Sequence, residues 1–191
     1  GHFDHVGALE SLEEEWQVPV YAHSLEKPHL TGVTPYPPPD PGVGGGLMSL
    51  MSPMYPRGPI DIGKYLVTLP QDNTIPHMPE WRYIHTPGHA PGHISLFREK
   101  DRLLLAGDAF VTTKQESAMS AIIQRRQLSG PPKYFTYDWQ SARESVRKLS
   151  RLKPEIAATG HGRPLHGEEM RQSLDHLAAN FDEVAIPEHG R

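Results

Sequence analysis

No cysteine occurs among the 191 residues of this chain. That excludes disulfide stapling and thiolate ligation of a metal, and it leaves histidine and carboxylate as the side chains able to hold one. A chain without thiols fits the cytoplasm, which is the compartment expected here. Long apolar runs are also missing. No stretch approaches the roughly 20 residues that span a bilayer, so no membrane partner is expected. Neither sign of charge is in excess: 19 basic and 23 acidic residues give a formal net charge of −4 and a pI near 6.3. A broad nucleic-acid footprint is therefore disfavoured. With 37% hydrophobic residues, the length supports one domain with a real core, spanning residues 1–191, and is short for two.

Histidine is abundant, with 12 copies, and half of them lie in or beside four short motifs. The first is His2-Phe3-Asp4-His5, which puts three potential ligands within four residues at the entrance to a helix. A short turn entering a helix can aim imidazole and carboxylate groups at one point, as a divalent cation requires. The others are Thr86-Pro87-Gly88-His89, Leu105-Ala106-Gly107-Asp108 and Thr159-Gly160-His161-Gly162. Asp108 ends an apolar strand, so its carboxylate stands at a sheet rim, where two oxygens can bridge two cations. Glycines on both sides of His161 let the backbone come close. His93, four residues past His89 and at a strand start, suits a supporting contact better than ligation. Singly, each residue has an ordinary structural role, such as a helix cap for Asp4 or a turn cap for Asp108. Together they indicate a metal centre.

The rest of the chain reads as alternating helices and strands, the pattern of a layered α/β sandwich. Helical spacing predicts a helix from Val6 to Trp16, with Leu9, Leu12 and Trp16 inward. A strand Val18–Ala22 and a brief helix His23–Lys27 follow. Between Thr31 and Ile60 lie eight prolines and six glycines, which predicts a loop, or a lid over the metals with Met48, Leu50, Met51, Met54 and Tyr55 as its apolar underside. Strands are expected at Trp81–Thr86, His93–Phe97, Arg102–Ala106 and Glu155–Thr159. One helix should run from an Asp138 cap to Lys153, and another from Gly167 with Met170, Leu174, Leu177 and Phe181 inward. Arg125, Arg126, Tyr134 and Tyr137 lie between the third and fourth motifs, where a loop can reach a substrate. A hydroxyl of Tyr134 or Tyr137 there could hydrogen-bond a developing oxyanion. His29, His77, His176 and His189 are expected at the surface.

The four motifs, in this order, resemble the metallo-β-lactamase-fold hydrolases, whose signature runs H-x-H-x-D-H, Thr-Pro-Gly-His, Gly-Asp and Gly-His-Gly. The resemblance covers His2 to about Leu165 and implies a four-layer αββα sandwich. It implies one metal on His2, His89, Asp108 and a further His, and a second on Asp4, His5, Asp108 and His161. Two divalent cations follow, with zinc expected and iron or manganese as alternatives. The implied activity is hydrolysis, with Asp4 and Asp108 as catalytic carboxylates around a shared hydroxide that attacks a lactone, ester or thioester carbonyl. A single-iron oxygenase acting on a sulfur substrate, a phosphodiesterase and a non-enzymatic scaffold are the competing functions. Asp108 speaks against an antibiotic-hydrolysing β-lactamase, in which Cys or Ser typically replaces this bridging carboxylate. The leading His and first strands of the signature would precede Gly1, so the natural protein is expected to be longer. Its expected partners are a small-molecule substrate, that N-terminal segment and a second copy in a homodimer.

Overall fold

The structure is a computed structural model and describes residues 1–43, 47–113 and 127–188. Helices α1 (Phe3–Val6) and α2 (Leu9–Trp16) replace the single helix expected from Val6, because the helix is interrupted at Gly7 and Ala8. Trp16 is 59% exposed, not inward. It is the last residue of α2, and Gln17 then turns the chain through a left-handed conformation with φ of 52°.

Strand β1 (Val20–Ala22) pairs in parallel with β2 (Leu66–Thr68), and a 3-10 turn (Ser24–Glu26) leads into α3 (Lys27–Leu30). The proline-rich segment that follows is not all loop. It contains α4 (Leu47–Met51) between 3-10 turns at Pro41–Val43 and Ser52–Met54. Tyr36, Val43, Ser49 and Ser52 are buried, whereas Leu50 and Met54 are 71% and 78% exposed. Ser49 and Ser52 stand three apart on the covered face of a helical turn, which sends Leu50 outward. The apolar underside expected of Leu50 and Met54 is therefore not formed by them.

The main sheet holds five strands in the order β3 (Trp81–His85), β4 (Ile94–Arg98), β5 (Leu103–Gly107), β6 (Ile156–Thr159) and β7 (Leu165–His166). Successive side chains alternate between faces, so Ser95 and Phe97 of β4 and Leu104 and Ala106 of β5 are buried while their neighbours are half-buried. Against them pack α5 (Trp139–Arg151) through Ala142, Val146 and Leu149, α6 (Gly167–Ala179) through Met170, Leu174 and Leu177, and α7 (Phe181–Val184) through Phe181. Each large apolar side chain buried in this core contributes about 1.5–3 kcal/mol. Helix α5 begins where the carboxylate of Asp138 accepts the Ser141 N–H at 2.9 Å.

Strand direction positions the site. β3 and β4 are antiparallel, as are β4 and β5, while β5 and β6 are parallel across the α5 connection. β3, β5 and β6 therefore run the same way, and their carboxyl ends share one edge of the sheet. The segments carrying His89, Asp108 and His161 leave those three ends. Among the described residues, no helix is long and apolar enough to cross a membrane.

Candidate metal centre

Six side chains meet at that edge. His2 precedes the first turn of α1 and Asp4 and His5 lie within it, so all three project from one short turn. His2 Nδ1 lies 2.9 Å from His89 Nε2. Asp108 Oδ2 lies 3.0 Å from His5 Nε2 and 3.4 Å from the Nε2 atoms of both His89 and His161. Asp4 Oδ2 is 3.1 Å from His161 Nε2. Three imidazoles thus turn a ring nitrogen toward one carboxylate oxygen. One ligating atom from each of Asp4, His5 and His161 falls within 4.8 Å of the others. The cluster is graded in depth, because His2, His89 and Asp108 are buried while Asp4, His5 and His161 open to solvent.

Gly107 makes this placement possible. The ladder between β5 and β6 shifts register between Leu105 and Gly107, and Gly107 turns out of the sheet with φ of +56°. A Cβ there would stand 2.6 Å from His93 Nε2. The freed space admits the His93 ring, whose Nε2 accepts the Asp108 N–H at 2.9 Å. The opposite nitrogen of His93 meets the Thr86 hydroxyl at 2.9 Å and the Thr86 carbonyl at 3.1 Å. His93 thus holds Asp108 from behind and lies one hydrogen bond away from the cluster.

Electrostatics divide the histidines into two kinds. Burial pulls His2 down to about 4 and holds His89 well below the ordinary imidazole range, so both are neutral near pH 7. Burial also acts downward at His161, but hydrogen bonds to Asp108 and Asp4 outweigh it and raise the pKa to about 10. His5 is raised chiefly by its hydrogen bond to Asp108. At Asp108, burial favours the neutral acid but is outweighed by the hydrogen bonds from His161 and His5, and the carboxyl stays well below the usual range. Asp4 is lowered in the same way, burial being overcome by its hydrogen bond to His161 and the nearby His5.

The cluster fits a divalent cation. Asp108 Oδ1 is buried and has no hydrogen-bond partner among the described residues. Leaving such an atom unmatched costs about 1–3 kcal/mol, more when it is charged. The space before it is kept clear by Gly160, since a Cβ on Gly160 would run into Oδ1 and stand 2.8 Å from His5 Cε1. Four imidazoles and two carboxylates form a donor set that suits zinc, iron or manganese.

The sequence profile of the metallo-beta-lactamase superfamily matches residues 1–161. The chain belongs to that superfamily. Over 184 residues it is 48% identical to a Bacillus subtilis (strain 168) protein named probable metallo-hydrolase YflN, an alignment covering 96% of this chain and 70% of that protein. Among solved structures, the superfamily likeness includes the BLEG-1 B3 metallo-beta-lactamase, at 27% identity and a TM-score of 0.56, covering 90% of this chain and 71% of that one. It also includes TTHA1623 in a di-iron-bound form, at 22% identity and a TM-score of 0.59, covering 93% of this chain and 70% of that one. That last likeness is one of fold. The α/β sandwich described above is the superfamily's.

All six expected ligand residues come together, and His93 stands behind them. Tyr134 is buried and Tyr137 is 44% exposed, while Phe135 between them stacks on His2 at 4.9 Å. Arg125, Arg126, His189 and Gly44-Gly45-Gly46 lie outside the described residues. His77 and His176 are exposed as expected, but His29 is buried, stacked on Tyr36 at 4.1 Å. Sequence reasoning missed Glu26, Tyr36 and Phe135. No local motif marks them, since each reaches the site through distant pairing.

Proposed function

We propose that this protein is a metal-dependent hydrolase that cleaves a carbonyl substrate (a lactone, ester or thioester) at a centre of two divalent cations, zinc first among the candidates. His2, His89 and Asp108 would hold one cation, and Asp4, His5, Asp108 and His161 the other. The observation that carries this is the Asp108 carboxylate, with Oδ2 at the hub of three imidazole nitrogens and a buried Oδ1 left unmatched among the described residues. A carboxylate placed that way would be shared by both cations, since its Oδ2 faces imidazoles assigned to each of them.

When bound, a pair of divalent cations lowers the pKa of water toward about 7 and polarises a carbonyl oxygen. The chain's own residues do the rest. Asp108 would be the carboxylate common to both cations, and His93 fixes Asp108 by accepting its backbone N–H. Tyr36 and Phe135 cover the edge and face of His2, so water and substrate would enter from the half-open side formed by Asp4, His5 and His161. Apolar side chains of Val6, Leu9 and Val20 line the cavity that also holds His2, His5 and Asp108, and they favour an apolar acyl or ring-closed substrate over a phosphodiester.

A hydrolysis screen of lactones, thioesters and phosphodiesters on metal-loaded protein, read beside metal analysis, tests this. Two metals per chain with lactone or thioester turnover are expected. One iron per chain with oxygen consumption would replace the proposal by an oxygenase, and turnover confined to phosphodiesters would replace the substrate class.

A further inference from the structure

Glu26 is a buried carboxylate that none of the six cluster residues touches through its own side chain. It is 6% exposed and sits at the end of the 3-10 turn after β1. Its Oε1 accepts the Gly92 N–H at 2.7 Å. Its Oε2 accepts the Tyr36 O–H in a short hydrogen bond and has the Gly1 nitrogen 3.6 Å away. Gly92 belongs to the turn that carries His89, and that turn rests directly on the carboxylate: a Cβ on Gly92 would stand 2.7 Å from Glu26 Cγ. Tyr36 is 2% exposed, and its ring stands edge-on to His2 at 4.4 Å with an interplanar angle of 70°. The other neighbour of that ring is His29, whose Nδ1 is held by the Thr34 carbonyl at 2.8 Å. Tyr36 is also clamped through its backbone, since its N–H donates to the Arg57 carbonyl at 3.0 Å. Both ends of the proline-rich segment therefore converge on one tyrosine.

We propose that Glu26 and Tyr36 are positioning residues for the deep half of the centre, Tyr36 setting the ring of His2 and Glu26 tying Tyr36 to the turn that bears His89. This rests on the metal reading above. The physical reason is that an imidazole ligates well only when its ring plane and nitrogen are aimed beforehand. Partners that fix this orientation without touching a metal change affinity by about 10–100-fold. A buried carboxylate is costly unless its oxygens are matched. Here both are matched, one by each of the two segments that must be held together. The ring and hydrogen-bond contacts of Asp4, His5 and His161 described above run to one another and to Asp108.

The test is a cobalt titration of the parent, Glu26→Gln and Tyr36→Phe, followed by visible absorption and by competition with a chromogenic chelator. Tyr36→Phe keeps the ring beside His2 and removes only the hydroxyl, so it serves where Glu26→Gln fails to fold. The expected result is that one of two cobalt steps weakens by about 10–100-fold with a changed absorption band, while the other step stays at the parent value. Glu26→Gln placed in a His2→Ala background should then have no further effect on cobalt binding. Parental affinity and spectrum in both variants would overturn the proposal, as would equal weakening of both steps, which marks a general structural role. A parent that binds no cobalt would overturn the metal reading itself, and this proposal with it.

Discussion

The backbone N–H of Asp108 donates to His93 Nε2 at 2.9 Å, and the other nitrogen of that ring faces Thr86. A ring nitrogen that accepts from an amide carries no proton, so His93 is the Nδ1–H tautomer, and burial lowers its pKa to about 4. The end of β5 is thereby fastened to the two residues that bracket the His89 turn. Two of the motifs are mechanically one unit.

His93→Ala leaves the Asp108 N–H without its acceptor. A loss of about 1–3 kcal/mol in stability is expected, with metal affinity falling by about 10–100-fold. Thermal unfolding and chelator competition on the same preparation measure both. Metal affinity equal to that of the parent would show that Asp108 is held without His93.

Substitution at Asp108 should act on both cations at once. Asp108→Ala is expected to abolish turnover and to weaken metal binding by more than the roughly 10–100-fold that loss of an outer hydrogen-bond partner costs. Asp108→Asn keeps the shape but offers one good oxygen, so it should retain one metal per chain. Elemental analysis distinguishes the two. Two metals retained in Asp108→Ala would remove the bridge assignment.

Gly160→Ala is a one-carbon change with a steric consequence, because the added methyl would run into Asp108 Oδ1 and crowd His5. The variant should fold with a main sheet like the parent's, seen by circular dichroism, yet bind metal more weakly. Unaltered metal stoichiometry and affinity would mean that the space before Oδ1 is not where a cation sits.

The exposed side of the proline-rich segment invites a separate test. Leu50 and Met54 are 71% and 78% exposed, so replacing both by Ser should shift stability by no more than about 0.5 kcal/mol per site. If the segment acts as a lid, KM for long-chain esters should rise while KM for acetyl esters holds. Chain-length dependence identical to the parent's would leave the segment without that role.

The sequence alone carried the histidines and aspartates that cluster at the sheet edge. Each motif is local, with a histidine or aspartate beside a glycine at the end of a periodic stretch, and local geometry suffices to place such a residue at an element's end. The strands β3 to β6 and the helices α5 and α6 were legible for the same reason: alternating or helical periodicity is written into consecutive residues. Tertiary structure alone decided what those residues meet. His2 reaches His89 across 87 positions and Glu26 reaches Gly92 across 66, while Asp108 and His161 join His89 at one edge because β3, β5 and β6 run in one direction. Strand direction is a property of pairing between segments, which no single segment encodes. The same holds for His29 and Tyr36, which have no periodic context in a proline-rich stretch and become buried because each stacks on the other. Composition marked residues 31–60 as irregular. That Tyr36 would be sealed against His2 while Leu50 and Met54 face water depended on which side of the segment the rest of the fold covers.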